Sequence, residues 1–236
     1  MKKIILLLIL ILLCHPAGIQ AQSVHPLQVK EIPAWVANAF TVAQKQSEAM
    51  YKKVMKTNLL PRSIQRGMVP QTDWTAGFFP GTLWYLYTYN HKEVWKKRAQ
   101  AATALMEGEQ NNAFDHDIGF KMYSCYGNGY LLTGDKAYRH ILFRSAKTLA
   151  SRYSYKTGLI MSWEPDESRD WLFPVIIDNM INLELLMEAY KMSGDTTLRH
   201  IAISHANKTM KYHYRKDMSC PCLLYTSPSP RDRQKS

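Results

Sequence analysis

Two aspartates and a tryptophan stand at spacings that would let them act together. Asp117 lies seventeen residues before Gly134, Asp178 sixteen before Gly194, and Trp74 sixteen before Asn90. In each case an apolar stretch fills the interval and a turn follows. If those stretches are helices lying side by side, their N-terminal ends share one mouth, and the three side chains face a common cavity. Two carboxylates and an indole suit carbohydrate chemistry: the indole stacks on a sugar face and the acids move protons. An aspartate at a helix start is commonly no more than an N-cap, and that reading stands beside the catalytic one for both residues. Asp178 is set apart by its flanks, Val175-Ile176-Ile177 and Asn179-Met180-Ile181. A cap needs no such surroundings, and burial there would raise the carboxyl pKa, as a general acid requires. Trp163 falls in a loop over 158–165, where exposed aromatics often meet ligands. Glu164, Asp166, Glu167 and Asp170 read as a solvated loop first and a ligand-binding one second. Trp84, Trp95 and Tyr138 lie at helical spacing and read as packing residues.

The elements that must position these groups repeat. Thr133-Gly134-Asp135 and Ser193-Gly194-Asp195 each precede an amphipathic stretch, and the two glycines are 60 residues apart. A weaker copy runs from Asn90 through Trp95 to Met106. Glycine serves as a left-handed C-cap and aspartate as the next N-cap. The stretches before the turns, 77–89, 119–132 and 177–192, are apolar nearly all round and predict helices buried on both sides. Those after the turns carry Lys and Arg on one face. A leading helix over 36–56 places Val36, Ala39, Phe40, Ala43, Met50 and Val54 at helical spacing. Strand signals are sparse. The pattern predicts an all-α fold of stacked α-hairpins, an open solenoid or a closed α/α toroid.

The 236 residues are 46% hydrophobic and 21% charged, which excludes collagen, low-complexity disorder and a coiled-coil rod. The net charge of +11 favours acidic partners. Met1-Lys2-Lys3, the apolar run Ile4 to Leu13 and the small residue Ala21 read as a signal peptide over 1–21, too short to span a bilayer. Export to the periplasm or the exterior makes nucleic acid a poor partner, leaves no membrane attachment after cleavage and favours acidic polysaccharide. Bulky Leu13 before Cys14 argues against lipoprotein anchoring. Cys125, Cys220 and Cys222 form no disulfide framework and no zinc site. Cys125 reads as a small buried residue.

Trp74-Thr75-Ala76-Gly77-Phe78-Phe79-Pro80-Gly81, His116-Asp117-Ile118-Gly119-Phe120 and Ile176-Ile177-Asp178-Asn179-Met180-Ile181-Asn182 occur in this order. With the Gly-Asp turns, they resemble the unsaturated glucuronyl hydrolases, glycoside hydrolase family 88. The related unsaturated rhamnogalacturonyl hydrolases share the fold and the aspartate logic. The resemblance implies an (α/α)6 barrel acting on oligosaccharides released by polysaccharide lyases, whose terminal uronic acid carries a C4=C5 double bond. It implies hydration of that vinyl ether, with Asp178 as general acid/base and Asp117 as the second acid. His116, Trp74 and Trp163 would contact the sugar. No metal or organic cofactor is implied. Ordinary glycosidase carboxylate spacings do not apply to this chemistry.

The resemblance covers residues from about 30 to 219. Residues 220–236 are rich in Ser and Pro, basic and non-periodic; they predict a disordered tail and resemble translated sequencing-adapter sequence rather than native protein. The domain plan is thus a signal over 1–21, a partial catalytic domain over 22–219 and a foreign tail. Three hairpins and a leading helix do not close a six-hairpin ring. The polypeptide as written is therefore expected to be poorly soluble or partly molten, and inactive. A secreted helical-repeat binding module is the reading from another class. Such repeats run at roughly 34 residues, against the 60 between these glycines.

Overall fold

In the computed structural model, which describes residues 32–169, 171–220 and the backbone of 223–224, each Gly-Asp pair joins two helices. Gly134 and Gly194 take left-handed conformations, φ 67° and 76°, that close one helix. Asp135 and Asp195 open the next by accepting from the backbone N–H of Ala137 and Thr197. At the third turn the left-handed residue is His91, φ 52°, one position beyond the Asn90 expected there. Asn90 Oδ1 instead accepts from Lys92 N at 3.0 Å.

The chain divides into residues 1–37 and 38–236. Of the first unit only 32–37 are described; Pro33 O accepts from the N–H groups of Val36 and Ala37 at the start of helix α1 (Ala34–Thr57). The second unit carries the remainder. An antiparallel hairpin follows, β1 (Leu60–Ser63) and β2 (Gly67–Val69). The first helical hairpin is α2 (Phe78–Asn90) and α3 (Glu93–Ala104). After a 3₁₀ turn over Glu107–Asn111 comes a run of α4 (Ile118–Met122), a π turn (Tyr123–Gly127) and α5 (Asn128–Thr133). Helix α6 (Lys136–Ala150) completes the second hairpin. The third opens with a 3₁₀ turn over Ile177–Asn182, continues as α7 (Leu183–Ser193) and returns as α8 (Thr196–His213).

Helix α2 buries Phe79, Pro80, Gly81, Leu83, Trp84 and Leu86 but leaves Phe78 and Tyr85 exposed along one side, which corrects the expectation of inner helices buried on both sides. Helix α6 buries Leu142, Ser145, Ala146 and Leu149, one stripe at i, i+3, i+4 and i+7. Trp84 lies fully in the core, where its Nε1–H donates to Thr103 Oγ1 at 3.0 Å. Trp95 is buried and Tyr138 packs against the core, as their spacing predicts. The ring of Phe40 stacks on Tyr89 at 3.9 Å, and Gln44 Oε1 accepts from Asn90 and Trp95, which fastens α1 to the first hairpin. Cys125 is fully buried; its thiol donates to Lys121 O, and burial pushes its pKa up to about 12.

Two short strand pairs lie between hairpins. β3 (Tyr153–Ser154) pairs with β4 (Leu159–Ile160), and β5 (Val175–Ile176) with β6 (Leu223–Leu224). The second pair corrects the expectation of a disordered tail at two residues, Leu223 and Leu224, whose backbone pairs with Ile176 and Val175. The signal segment, Cys14, Asp170, Cys222 and the rest of the tail lie outside the described residues. Among the described residues no helix is long and apolar enough to cross a membrane.

Candidate active site

The N-terminal ends of the inner helices meet at one mouth. Phe120 stacks on Phe78 at 5.6 Å, and Trp74 stands edge-on to both. Phe120 N donates across to Asn182 Oδ1 at 2.9 Å. Three successive hairpins thus contribute Trp74, Asp117 and Asp178 to one place. His116 lies between the two aspartates: its Nε2 is 3.3 Å from Asp117 Oδ1 and 3.8 Å from Asp178 Oδ1.

Neither aspartate caps a helix through its side chain. Asp117 precedes α4 in helical conformation with no side-chain bond to the helix start. Asp178 is the second residue of its 3₁₀ turn, which Ile176 caps. That turn also corrects the expected burial of Asp178. With three residues per turn, positions i and i+3 eclipse. Asn179 and Asn182 therefore face inward and are fully buried, while Asp178 and Ile181 lie on the exposed side. The Asp178 side chain is 45% exposed.

The electrostatics still push both carboxyls up. Burial, then the negative charge of Asp115, raise Asp117 to about 6 against the pull of Lys121; Asp73 adds to the rise. For Asp178, partial burial is the largest cause, opposed by His116 and reinforced by Asp117. Burial lowers the His116 pKa against the attraction of Asp178, Asn179 and Asp115, with Arg152 also lowering it. Asp73 goes the other way. Burial raises it, but hydrogen bonds from Thr75 and the Arg62 guanidinium outweigh that and hold its carboxyl below the ordinary value.

The loop bearing Trp163 is pinned by Ser162 and Arg152. Ser162 O accepts from His116 N at 2.9 Å, its N–H donates to Pro174 O, and its Oγ accepts from Ile176 N at 3.0 Å. Arg152 donates to Met161 O, Ala113 O and Glu164 Oε1. The Trp163 ring thereby lies 6.3 Å from His116 and 5.9 Å from Trp171. Glu164 pairs with Arg152, and Asp166 with Arg169 at 3.1 Å, on a loop that is solvated as expected: the Glu164 side chain is 55% exposed. Trp74 is 46% exposed, with Arg62 over its ring at 5.6 Å. All five residues singled out from the sequence are thus gathered here. Sequence reasoning missed Asn179, Asn182, Arg152 and Ser162. The two asparagines stand in the third quoted motif, and Arg152 and Ser162 carry no local signal. Among the described residues no group of three or more His, Cys, Asp or Glu is placed to hold a metal ion.

A carboxyl held above its ordinary value makes stability pH-dependent. An unfolded aspartate ionises near 3.8, whereas Asp117 stays protonated to about 6. Stability therefore falls as pH rises through that window and is level above it. Asp117→Asn is expected to stabilise the full-length protein by at most about 3 kcal/mol near pH 8 and by almost nothing near pH 3.5. Urea unfolding at both pH values measures this; an equal effect at the two would contradict the assignment.

Comparison with known proteins places this geometry. No protein-family model matches the chain. It is 40% identical over 191 residues to the unsaturated glucuronyl hydrolase of Formosa agariphila, a match covering 78% of this chain and 47% of that protein. It is 32% identical over 162 residues to the unsaturated glucuronyl hydrolase of Bacillus sp. (strain GL1), covering 66% and 42%. Among solved structures, an unsaturated glucuronyl hydrolase specific for heparin superposes with a TM-score of 0.71 at 36% identity, over 80% of this chain and 52% of the other. The Streptococcus agalactiae unsaturated glucuronyl hydrolase gives 0.74 at 27% identity, over 82% and 50%. The chain spans slightly under half the length of the curated relatives it matches. Its stacked hairpins are part of an α/α toroid, and the chain belongs to the unsaturated glucuronyl hydrolases, glycoside hydrolase family 88.

Proposed function

We propose that the protein carrying this chain removes the 4,5-unsaturated uronic acid from the non-reducing end of lyase-generated oligosaccharides. Asp178 protonates C4, water adds at C5, and the resulting hemiketal opens and expels the neighbouring sugar. The observation that carries the reading is the grouping of Asp117 and Asp178 around one buried imidazole, both held above the ordinary carboxylate value. A raised carboxyl holds its proton to a higher pH than an ordinary aspartate does, and addition of a proton to an enol ether requires a protonated acid. Asp178 is the more exposed of the two and is assigned the proton transfer. Asp117, deeper in the mouth, holds the second charge, while Asp178 and His116 titrate together. Trp74 and Trp163 form aromatic walls for the sugar rings, and His116 orients the acids between them.

Glycosaminoglycan-derived disaccharides are the favoured substrates. One relative, 30% identical over 164 residues, is named unsaturated chondroitin disaccharide hydrolase, from Streptococcus agalactiae. The net charge suits such anions: it is +11 for the chain and +7 without residues 1–22 and 223–236. Export to the periplasm or exterior is proposed from the N-terminal run of residues 1–21. The test is incubation of the full-length protein with unsaturated and saturated disaccharides. Loss of the ultraviolet absorbance of the C4=C5 enol ether, with the saturated compound untouched, is expected. Cleavage of the saturated compound would mean ordinary displacement at the anomeric carbon. Trp74→Ala should raise KM about tenfold and leave kcat within a small factor, because an exposed stacking platform binds ground and transition states alike. Steady-state kinetics separate the two parameters.

A further inference from the structure

His116 is almost wholly buried, and its role depends on which ring nitrogen carries the proton. Its Nδ1 lies 3.2 Å from Asn182 Nδ2, while its Nε2 faces both carboxylates. An amide can be turned either way, so the orientation of Asn182 decides the matter. Phe120 N–H donates to Asn182 Oδ1 at 2.9 Å, and Asn179 Oδ1 accepts from Asn182 Nδ2 at 3.4 Å. Asn179 is fixed in turn, since its Nδ2 donates to Ile160 O at 2.8 Å. Rotating the Asn182 amide would set two N–H groups against each other and two oxygens against each other. Asn182 therefore presents a donor to His116, for which Nδ1 offers its lone pair, while the ring's hydrogen bond to Asn179 calls for an N–H donor on the imidazole. The contact needs Gly119: a Cβ there would come within 2.6 Å of Asn182 Cα.

We infer that Asn182 is a positioning residue that locks His116 in the tautomer with its proton on Nε2. The imidazole is then a donor toward Asp117 and Asp178 and has no lone pair there with which to take their proton. The acid proton stays on a carboxyl, available to substrate. The groups facing His116 are Asp115 and Asp117 on its own segment, Asp178, Asn179 and Asn182 on the 3₁₀ turn, Arg152 after α6, the Trp163 ring and, more distantly, His205 on α8. Burial keeps the imidazole neutral against the carboxylates.

The kinetic arm rests on the hydrolase reading; the tautomer does not. The test is nitrogen NMR of the histidine rings in the full-length protein, with His116→Gln to assign the signal. The parent should show an unprotonated Nδ1 and a protonated Nε2 near neutral pH. Asn182→Asp keeps the acceptor for Phe120 N–H but replaces the donor with an acceptor, so Nδ1 should gain a proton. With it kcat should fall about 10²-fold at little change in KM, and the pH profile should shift. A parent protein with its His116 proton on Nδ1 overturns the proposal, and this needs no variant to fold. So does an Asn182→Asp protein with unchanged ring nitrogens. A locked tautomer in a protein that leaves unsaturated uronides intact supports the lock and rejects the hydrolase reading.

Discussion

Asp178→Asn in the full-length protein is expected to lower kcat by about 10²- to 10⁴-fold, the usual contribution of a positioned proton donor. Asparagine keeps the shape of aspartate, and the side chain is 45% exposed on the open face of its 3₁₀ turn. The fold should therefore tolerate the change, with Tm and KM close to those of the parent. The loss belongs in kcat because the proton passes only in the transition state. The parent should also lose activity as pH rises past the raised carboxyl values, since the acid must be protonated to act. Turnover within about threefold of the parent would remove Asp178 from the chemistry and strengthen a carbohydrate-binding reading. Asp117→Asn differs in kind: it also relieves the repulsion among Asp73, Asp115, Asp117 and Asp178, and so changes stability with pH.

The mouth was legible because its positions are tied to turns. Gly134-Asp135 and Gly194-Asp195 mark hairpins by local chemistry alone, and counting back from them reaches Asp117 and Asp178. The unequal counts, seventeen and sixteen, have a physical cause. The π turn at Tyr123–Gly127 adds residues to its run without adding much length. The 3₁₀ turn at Ile177–Asn182 rises further per residue and needs fewer. That same turn was not legible, and missing it led to the expectation of a buried Asp178. Alternation between 3.6 and 3.0 residues per turn leaves little trace over six residues. His116 entered only through resemblance, because a single histidine beside an aspartate has no periodicity. Asn182 was visible in a motif, but its role needs the partner at Phe120, 62 residues away. Leu223–Leu224 pairs with Val175–Ile176 against a compositional reading of the tail that averages over seventeen residues.

Lys121→Met is expected to destabilise the full-length protein by about 3–5 kcal/mol, the usual effect of removing one partner from a buried ion pair. Lys121 is the one cation in the apolar run 118–133, and its side chain is fully buried. Its Nζ donates to Glu109 Oε2 at 2.7 Å and to Thr72 O at 3.2 Å. Glu109, 5% exposed, also accepts from Asn112 Nδ2. The pair ties the second inner helix to the 3₁₀ turn before it and to the loop that delivers Trp74. Methionine fills the volume of the lysine stem but strands the Glu109 carboxylate. Pairing the change with Glu109→Leu should recover most of the loss, because two apolar side chains of similar size need no partner. Urea unfolding of the parent, the single and the double variant measures the cycle. A single variant within about 1 kcal/mol of the parent would mean that water already reaches Glu109. The double variant also reports on the site: Lys121 holds the Asp117 pKa down. Without that cation Asp117 should ionise above about 6, and the stabilisation by Asp117→Asn should set in over a correspondingly wider pH window.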